Sequence, residues 1–126
     1  MLPTNTLLLL PLWLCCPRPR LPQKELREYC QAEGIAVEAY SSLGSGQLLK
    51  DAQVASVAAG VGRTPAAVLY RWALQHGCII LPKSVTQSRI VENAKLFDFE
   101  LDEKAMAQLD GMGKDHHFSW NPYTIA

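Results

Sequence analysis

The sequence lacks an excess of charge of either sign: Lys plus Arg total 12, Asp plus Glu total 12, and the formal net charge is zero. A nucleic-acid binder normally carries a basic surface, so this balance argues against one. Also missing is an apolar run of the roughly 18 residues that a membrane span requires. Cysteine is sparse, and Cys15, Cys16, Cys30 and Cys78 fall at spacings that suit neither a disulfide framework nor a zinc site. No internal repeat or low-complexity tract occurs. What remains is 126 residues, room for one domain, with 48% hydrophobic and 19% charged residues. That is ample material for a core and too apolar for a disordered chain. A cytoplasmic globular domain is the expectation.

Residues 1–20, MLPTNTLLLLPLWLCCPRPR, differ in texture from the rest. The apolar run 7–16 has the length of a secretory h-region. However, no Lys or Arg precedes it, and Pro17 and Pro19 make a poor cleavage site. The preferred expectation is an apolar leader without fixed structure, foreign to the domain that occupies 21–126.

From Leu21 onward, amphipathic helices alternate with short apolar strands. The segment PQKELREYCQAEG puts Leu26, Tyr29 and Cys30 on one helical face, and Gly34 suits a left-handed cap. Residues 35–40, IAVEAY, form a strand, and SSLGSG reads as a loop. A helix follows over 51–61. Thr64 is an N-cap with Pro65 at the first helical position, opening a helix that Gly77 closes. Residues 78–81, CIIL, are apolar at every position, as in strands buried on both faces. Two more helices start near Ser88 and at Asp102. This order predicts an α/β fold of βα units on a parallel sheet. Two short parallel strands alone leave exposed edges, so the pattern reads as one arc of a larger structure.

Ligands in parallel α/β folds collect at the carboxyl ends of strands. At the first such end, Tyr40 offers a flat ring, and Ser41-Ser42-Leu43-Gly44-Ser45-Gly46 offers hydroxyls and close backbone approach. A polar turn beside a core tyrosine is the plain alternative. The second end is Pro82-Lys83-Ser84-Val85-Thr86-Gln87-Ser88-Arg89. Lys83 and Ser84 leave the strand as a helix begins, where N–H groups favour an anion. Arg89 lies in the first turn, which disfavours a cation unless something negative is bound. Glu92 and Asn93 share its face and together supply the acceptor and amide that read an adenine edge. An exposed, salt-bridged helix start is the alternative here.

These segments resemble the aldo-keto reductases, specifically the C-terminal part of that family's (β/α)8 TIM barrel. LPKSVTQSRIVEN at 81–93 looks like the family's C-terminal signature, and AYSSLGSG at 39–46 is similar to its AYSPLG segment after the seventh strand. Ser42 stands where the family usually has Pro. TPAAVLYRWALQ and NAKLFDFEL also read as family sequence. The resemblance implies reduction of aldehydes and ketones by hydride from NADPH. It implies that Tyr40 stacks on the nicotinamide and that Ser41, Leu43 and Ser45 hold the pyrophosphate. Lys83, Ser84, Val85 and Arg89 would grip the 2′-phosphate, and Glu92 and Asn93 the adenine.

A complete barrel takes roughly 250 residues. The family's catalytic Asp, Tyr, Lys and His lie on earlier strands and have no counterpart here; Tyr29, Tyr70 and Tyr123 occupy no matching position. The expectation is therefore an incomplete barrel that keeps the cofactor half, has no catalytic residue and does not reduce carbonyls alone. Aldehyde or ketone substrate would bind only in a complete barrel. The alternative is a non-catalytic nucleotide-binding or interaction module derived from the same fold. His116-His117 lack a third ligand at metal spacing, so no metal is expected. Residues 118–123 resemble the family's tail over the substrate pocket. Tyr70 and Trp72 are expected to pack, and Cys30 and Cys78 to be buried thiols.

Overall fold

The computed structural model describes residues 12–15 and 17–113. Nine elements run in the order β1 (Leu12–Cys15), α1 (Lys24–Ala32), β2 (Ala36–Ala39), a 3-10 helix (Gly44–Lys50), α2 (Ala52–Val61), α3 (Pro65–Gln75), β3 (Ile79–Ile80), α4 (Gln87–Ala94) and α5 (Glu103–Asp110). The three strands form one parallel sheet in the order β1-β2-β3. Strands that neighbour each other in chain order fit a singly wound βα arrangement, as in a barrel, and also one half of a doubly wound sheet. A doubly wound sheet would reverse its order partway.

The first finding corrects the sequence reading. Leu12–Cys15 pairs in parallel with Ala36–Ala39, so this part of the leader is a strand of the sheet. Pro17, Arg18 and Pro19 are buried behind it. Arg20 donates to Asp51 Oδ2 at 2.6 Å. The sheet therefore has three strands where two were expected. The physical cause is that a short, continuously apolar strand has no period of its own and reads on paper like a short h-region. Residues 1–11 lie outside the described residues.

Local signals act where expected. The Thr64 hydroxyl accepts from the Ala67 amide at 3.2 Å, and Asp102 Oδ1 from the Ala105 amide at 2.7 Å. Gly34 and Gly77 take φ of 67° and 73°, the left-handed region that glycine enters without a Cβ clash. Asp51, not foreseen as a cap, accepts from Gln53 N at 2.9 Å and starts α2. Burial pushes its carboxyl pKa up. The Arg20 hydrogen bond and charge, with the Gln53 and Val54 amides, outweigh that and hold it below its ordinary 3.8.

The core lies between the sheet and its helices. Cys30 of α1, Val54 and Val57 of α2, Leu69 and Trp72 of α3 and Leu109 of α5 pack on Val37, Ala39 and Cys78. Helix α3 is enclosed for seven consecutive residues, Ala67 to Ala73, more than the single face its apolar pattern required. Trp72 Nε1 donates to Asp110 Oδ1 at 2.8 Å, and His76 Nε2 meets the same oxygen at 2.8 Å. The Gln75 amide exchanges two bonds with the backbone of Leu101, fixing the segment that follows α4. Cys30 and Cys78 are free and buried, as expected.

Among the described residues, helices cover one face of the sheet. On β3, Cys78 and Ile80 turn toward the helices, whereas Ile79 and Leu81 remain 45% and 57% exposed. The expected burial of 78–81 on both faces is therefore absent. In a strand, alternate residues point to opposite sides, and here only one side has helices on it.

Candidate functional site

Because β2 and β3 are adjacent and parallel, their carboxyl ends open on the same rim. The last registered pair is Ala39 with Ile80. One residue further stand Tyr40 and Leu81, each more than half exposed. Tyr40 thus stands at the rim with its ring accessible, not as a core tyrosine.

The loop after Tyr40 is held by its own hydrogen bonds. Gly44 N donates to Ser41 O at 2.8 Å and Gly46 N to Leu43 O at 3.0 Å. The Ser42 hydroxyl is buried and donates to Ala39 O at 3.1 Å, which leaves it a structural part. Ser41 and Ser45 sit at φ of 55° and 54°. A left-handed backbone costs a residue with a Cβ on the order of 1–2 kcal/mol, and such outliers concentrate at ligand sites. Leu43 is half-buried and, like Ile80, packs against the core, which anchors the loop.

On the other side of the rim, Lys83 and Val85 are exposed after β3, and Ser84 is half-buried. Ser84 Oγ accepts from the Thr86 amide at 3.1 Å, shaping the turn into α4. Arg89 is exposed on the first turn of that helix, and Glu92 and Asn93 are half-buried further along. Neither Lys83 nor Arg89 forms an ion pair with another described residue. Glu92 Oε1 accepts from the Thr64 hydroxyl, tying α4 to the start of α3.

Beside Glu92 lies a cleft of about 260 Å³ between α3 and α4 that sequence reasoning missed. Arg63, Ser88, Glu92, Lys95 and Phe99 line it. The Arg63 guanidinium sits 4.7 Å above the Phe99 ring. Ser88, Glu92 and Lys95 follow at helical spacing, a stripe visible in the sequence, but Arg63 and Phe99 join it only through folding. A smaller hollow of about 130 Å³, lined by Arg27, Gln31 and His76, opens at the opposite ends of the strands.

A family model described as Aldo/keto reductase family matches residues 11–114. This chain is a member of the aldo-keto reductase family. The match begins at residue 11, before the boundary expected at Leu21, and takes in β1. The chain is 46% identical over 104 residues to glyoxal reductase of Bacillus subtilis (strain 168), covering 82% of this chain and 38% of that protein. It is 38% identical to 9,11-endoperoxide prostaglandin H2 reductase of Trypanosoma cruzi (strain CL Brener), with the same two coverages. A crystal structure of a Gox0644 mutant in complex with NADPH superposes with a TM-score of 0.84 at 35% identity. That match covers 92% of this chain and 43% of the solved one. The chain therefore spans under half the length of these relatives and aligns with part of an aldo-keto reductase barrel.

Among the described residues no helix is long and apolar enough to cross a membrane, and no cluster of His, Cys, Asp and Glu is placed to hold a metal ion. His116, His117 and the tail 118–123 lie outside the described residues.

Proposed function

We propose that this chain carries the NADPH-gripping portion of an aldo-keto reductase, the C-terminal part of the barrel, and lacks the family's catalytic residues. Of all the observations, the one that supports this most is the pair of exposed cations, Lys83 and Arg89, at the start of α4. They have no acidic partner among the described residues and stand beside the rim that Tyr40 occupies. An uncompensated cation in the first turn of a helix is unfavourable until an anion arrives. A dianionic 2′-phosphate meets that need, with the N-terminal amides of α4 completing the cradle.

The donor set fits the cofactor. The loop through Ser41, Leu43 and Ser45 holds its two serines in left-handed geometry and suits a pyrophosphate. Val85 is 86% exposed, so its contribution to the phosphate is its backbone. Glu92 keeps a carboxylate oxygen beyond the one that accepts from Thr64 and borders the α3–α4 cleft; it and Asn93 are the residues assigned to adenine. NADPH supplies the hydride. The chain's own residues hold the cofactor's phosphates, orient its nicotinamide against the Tyr40 ring and discriminate NADPH from NADH. On this reading, without the 2′-phosphate both cations would be left without a counter-charge.

On this reading neither Tyr29 nor Tyr70 is assigned as proton donor to a carbonyl. Tyr29 is 61% exposed on α1, away from the rim. Tyr70 is buried in α3, and burial pushes its phenol above 10.0, the wrong direction for an acid working near neutral pH. Titrating the purified chain with NADPH and NADH tests the reading: tighter binding of NADPH, lost in Lys83→Ala and Arg89→Ala, is expected. Equal affinities overturn it. Mixing the chain with NADPH and a reactive aldehyde is expected to give no turnover. The second reading, a non-catalytic nucleotide-binding or interaction module, is favoured by the uncovered face of the sheet.

A further inference from the structure

Helix α4 carries Arg89, Glu92 and Asn93, yet among the described residues it buries none of its own side chains. A helix with few buried contacts takes its orientation from whatever grips it. Here the grip comes from α3, at two points. At the N-cap of α3, the Thr64 hydroxyl accepts from the Ala67 amide and donates to Glu92 Oε1. Further along, Ala67 and Tyr70 pack against Leu96, which lies just past the end of α4 and is 1% exposed.

The second point is fixed by Arg71. Its Nη1 donates to the Leu96 carbonyl at 3.3 Å, its Nη2 to Glu100 Oε1 at 3.1 Å and its Nε to Gln75 Oε1 at 3.2 Å. Gln75 holds the same segment, accepting from Leu101 N at 2.7 Å and donating to Leu101 O at 2.9 Å. Arg71 is only 8% exposed. Enclosing a guanidinium is unfavourable unless its hydrogen bonds are met, and an apolar side chain would fill the space more cheaply. What the planar guanidinium adds is direction, because its donors reach fixed points on the segment that follows α4.

We propose that Arg71 is a positioning residue for nucleotide discrimination: its fork onto Leu96 and Glu100, braced by Gln75, sets the angle of α4 and so the placement of Arg89 against Lys83. The proposal deepens the functional reading and rests on Lys83 and Arg89 gripping the 2′-phosphate. Lys83 stands before the helix, on the segment leaving β3, whereas Arg89, Glu92 and Asn93 ride on it. A change in the angle of α4 therefore carries Arg89 away and leaves Lys83 behind. NADPH and NADH both lose adenine contacts, but only NADPH loses a clamp whose two halves must meet on one phosphoryl group. Arg71 acts through the helix, since each of its nitrogens already faces a protein acceptor.

The test compares the full chain with Arg71→Met and Arg71→Lys by titration with NADPH and NADH and by amide exchange. Arg71→Met removes every donor, and its NADPH affinity is expected to fall about ten-fold or more while NADH weakens by less than about three-fold. Amides of α4 should exchange faster, with those of α2 unchanged. Arg71→Lys keeps the charge and most of the stem but cannot bridge Leu96 and Glu100 together. It carries the test if Arg71→Met does not fold, and should still lower the NADPH preference about five-fold. A preference within about two-fold of the parent in a folded variant overturns the proposal, as does full recovery by Arg71→Lys, which would make charge alone responsible. Uniformly faster exchange across all helices overturns it too, being the signature of a residue that serves only the fold. Lys83→Ala and Arg89→Ala separate the two ideas. If they abolish the preference while both Arg71 variants keep it, the functional reading stands and the positioning role falls; if the parent binds both nucleotides equally, the two fall together.

Discussion

The two flanks of the sheet were built from similar residues and ended in different environments. On the helix side, Val37, Ala39, Trp72 and Leu109 are enclosed, with 6% exposure at most. On the rim side, Ile79, Leu81, Val85 and Phe97 are as apolar but stand in solvent. The contrast shows that apolar character marks where a chain wants a neighbour and does not say whether that neighbour belongs to the same chain. Stability and binding are therefore separable here. Changes on the enclosed flank should move the unfolding transition, and changes at the rim should move ligand affinity with little effect on folding.

The largest expected effect breaks the enclosed flank. Trp72 is fully buried and donates to the Asp110 carboxylate that also meets His76, with the Arg27 guanidinium 5.8 Å from its ring. Trp72→Ala leaves a large cavity and removes one of the two donors that meet that carboxylate, and should cost about 3–5 kcal/mol in chemical denaturation. Val85→Ser, its counterpart on the rim, should lie within about 0.5 kcal/mol of the parent. Comparable losses from the two would end the distinction between flanks.

Next in size is the rim's own chemistry. Removing Lys83 or Arg89 deletes a charge-assisted contact to phosphate, worth roughly 1.5–3 kcal/mol, or about ten- to a hundred-fold in NADPH affinity. NADH affinity and the unfolding midpoint should hardly change. Equal weakening for both nucleotides would place the two cations elsewhere than on the 2′-phosphate.

How much of this was readable beforehand follows from range along the chain. Caps were legible because Thr64 and Asp102 reach amides three residues on, and Gly34 and Gly77 need only their own φ. The proposed phosphate-binding residues Lys83 and Arg89 could be singled out without the fold because the signature around them is continuous in sequence. Three features were not. Arg20 finds Asp51 across 31 residues, Thr64 finds Glu92 across 28, and Gln75 finds Leu101 across 26. No local pattern announces such pairs. The strand Leu12–Cys15 was hidden for another reason: a continuous apolar run has no period, so neither alternation nor a helical stripe could identify it.

The Arg20–Asp51 pair gives a pH-resolved test of whether the leader contributes to the fold. The Asp51 carboxyl titrates below its ordinary 3.8 when folded, so the stability it contributes is fully present above that value. It is lost as the pH falls through the lower, folded value. Asp51→Asn keeps an N-cap acceptor for α2 but removes the charge that faces Arg20. This variant should therefore lose stability at neutral pH and show a flatter decline below about pH 4. Asp51→Ala removes the cap as well and should cost about 1 kcal/mol more. Parallel acid limbs for the parent and Asp51→Asn would mean that the pair is not formed in solution.

The smallest effect runs the opposite way and sharpens the comparison most finely. Ser45 holds φ at 54° in the rim loop, and a Cβ built at the neighbouring Gly46 meets nothing within 4 Å, so the loop has space and its only local cost is conformational. Glycine at position 45 removes the left-handed penalty of about 1–2 kcal/mol and adds chain entropy of about 0.5–1 kcal/mol to the unfolded state. The net change should be a stabilisation of up to about 1 kcal/mol, seen as a small rise in midpoint. If the hydroxyl holds pyrophosphate, the same Ser45→Gly change should weaken NADPH and NADH alike, since both carry that group. A rim substitution that stabilises the chain while loosening its ligand is what strain kept for binding predicts. A loop that served only as a turn would gain stability and lose nothing.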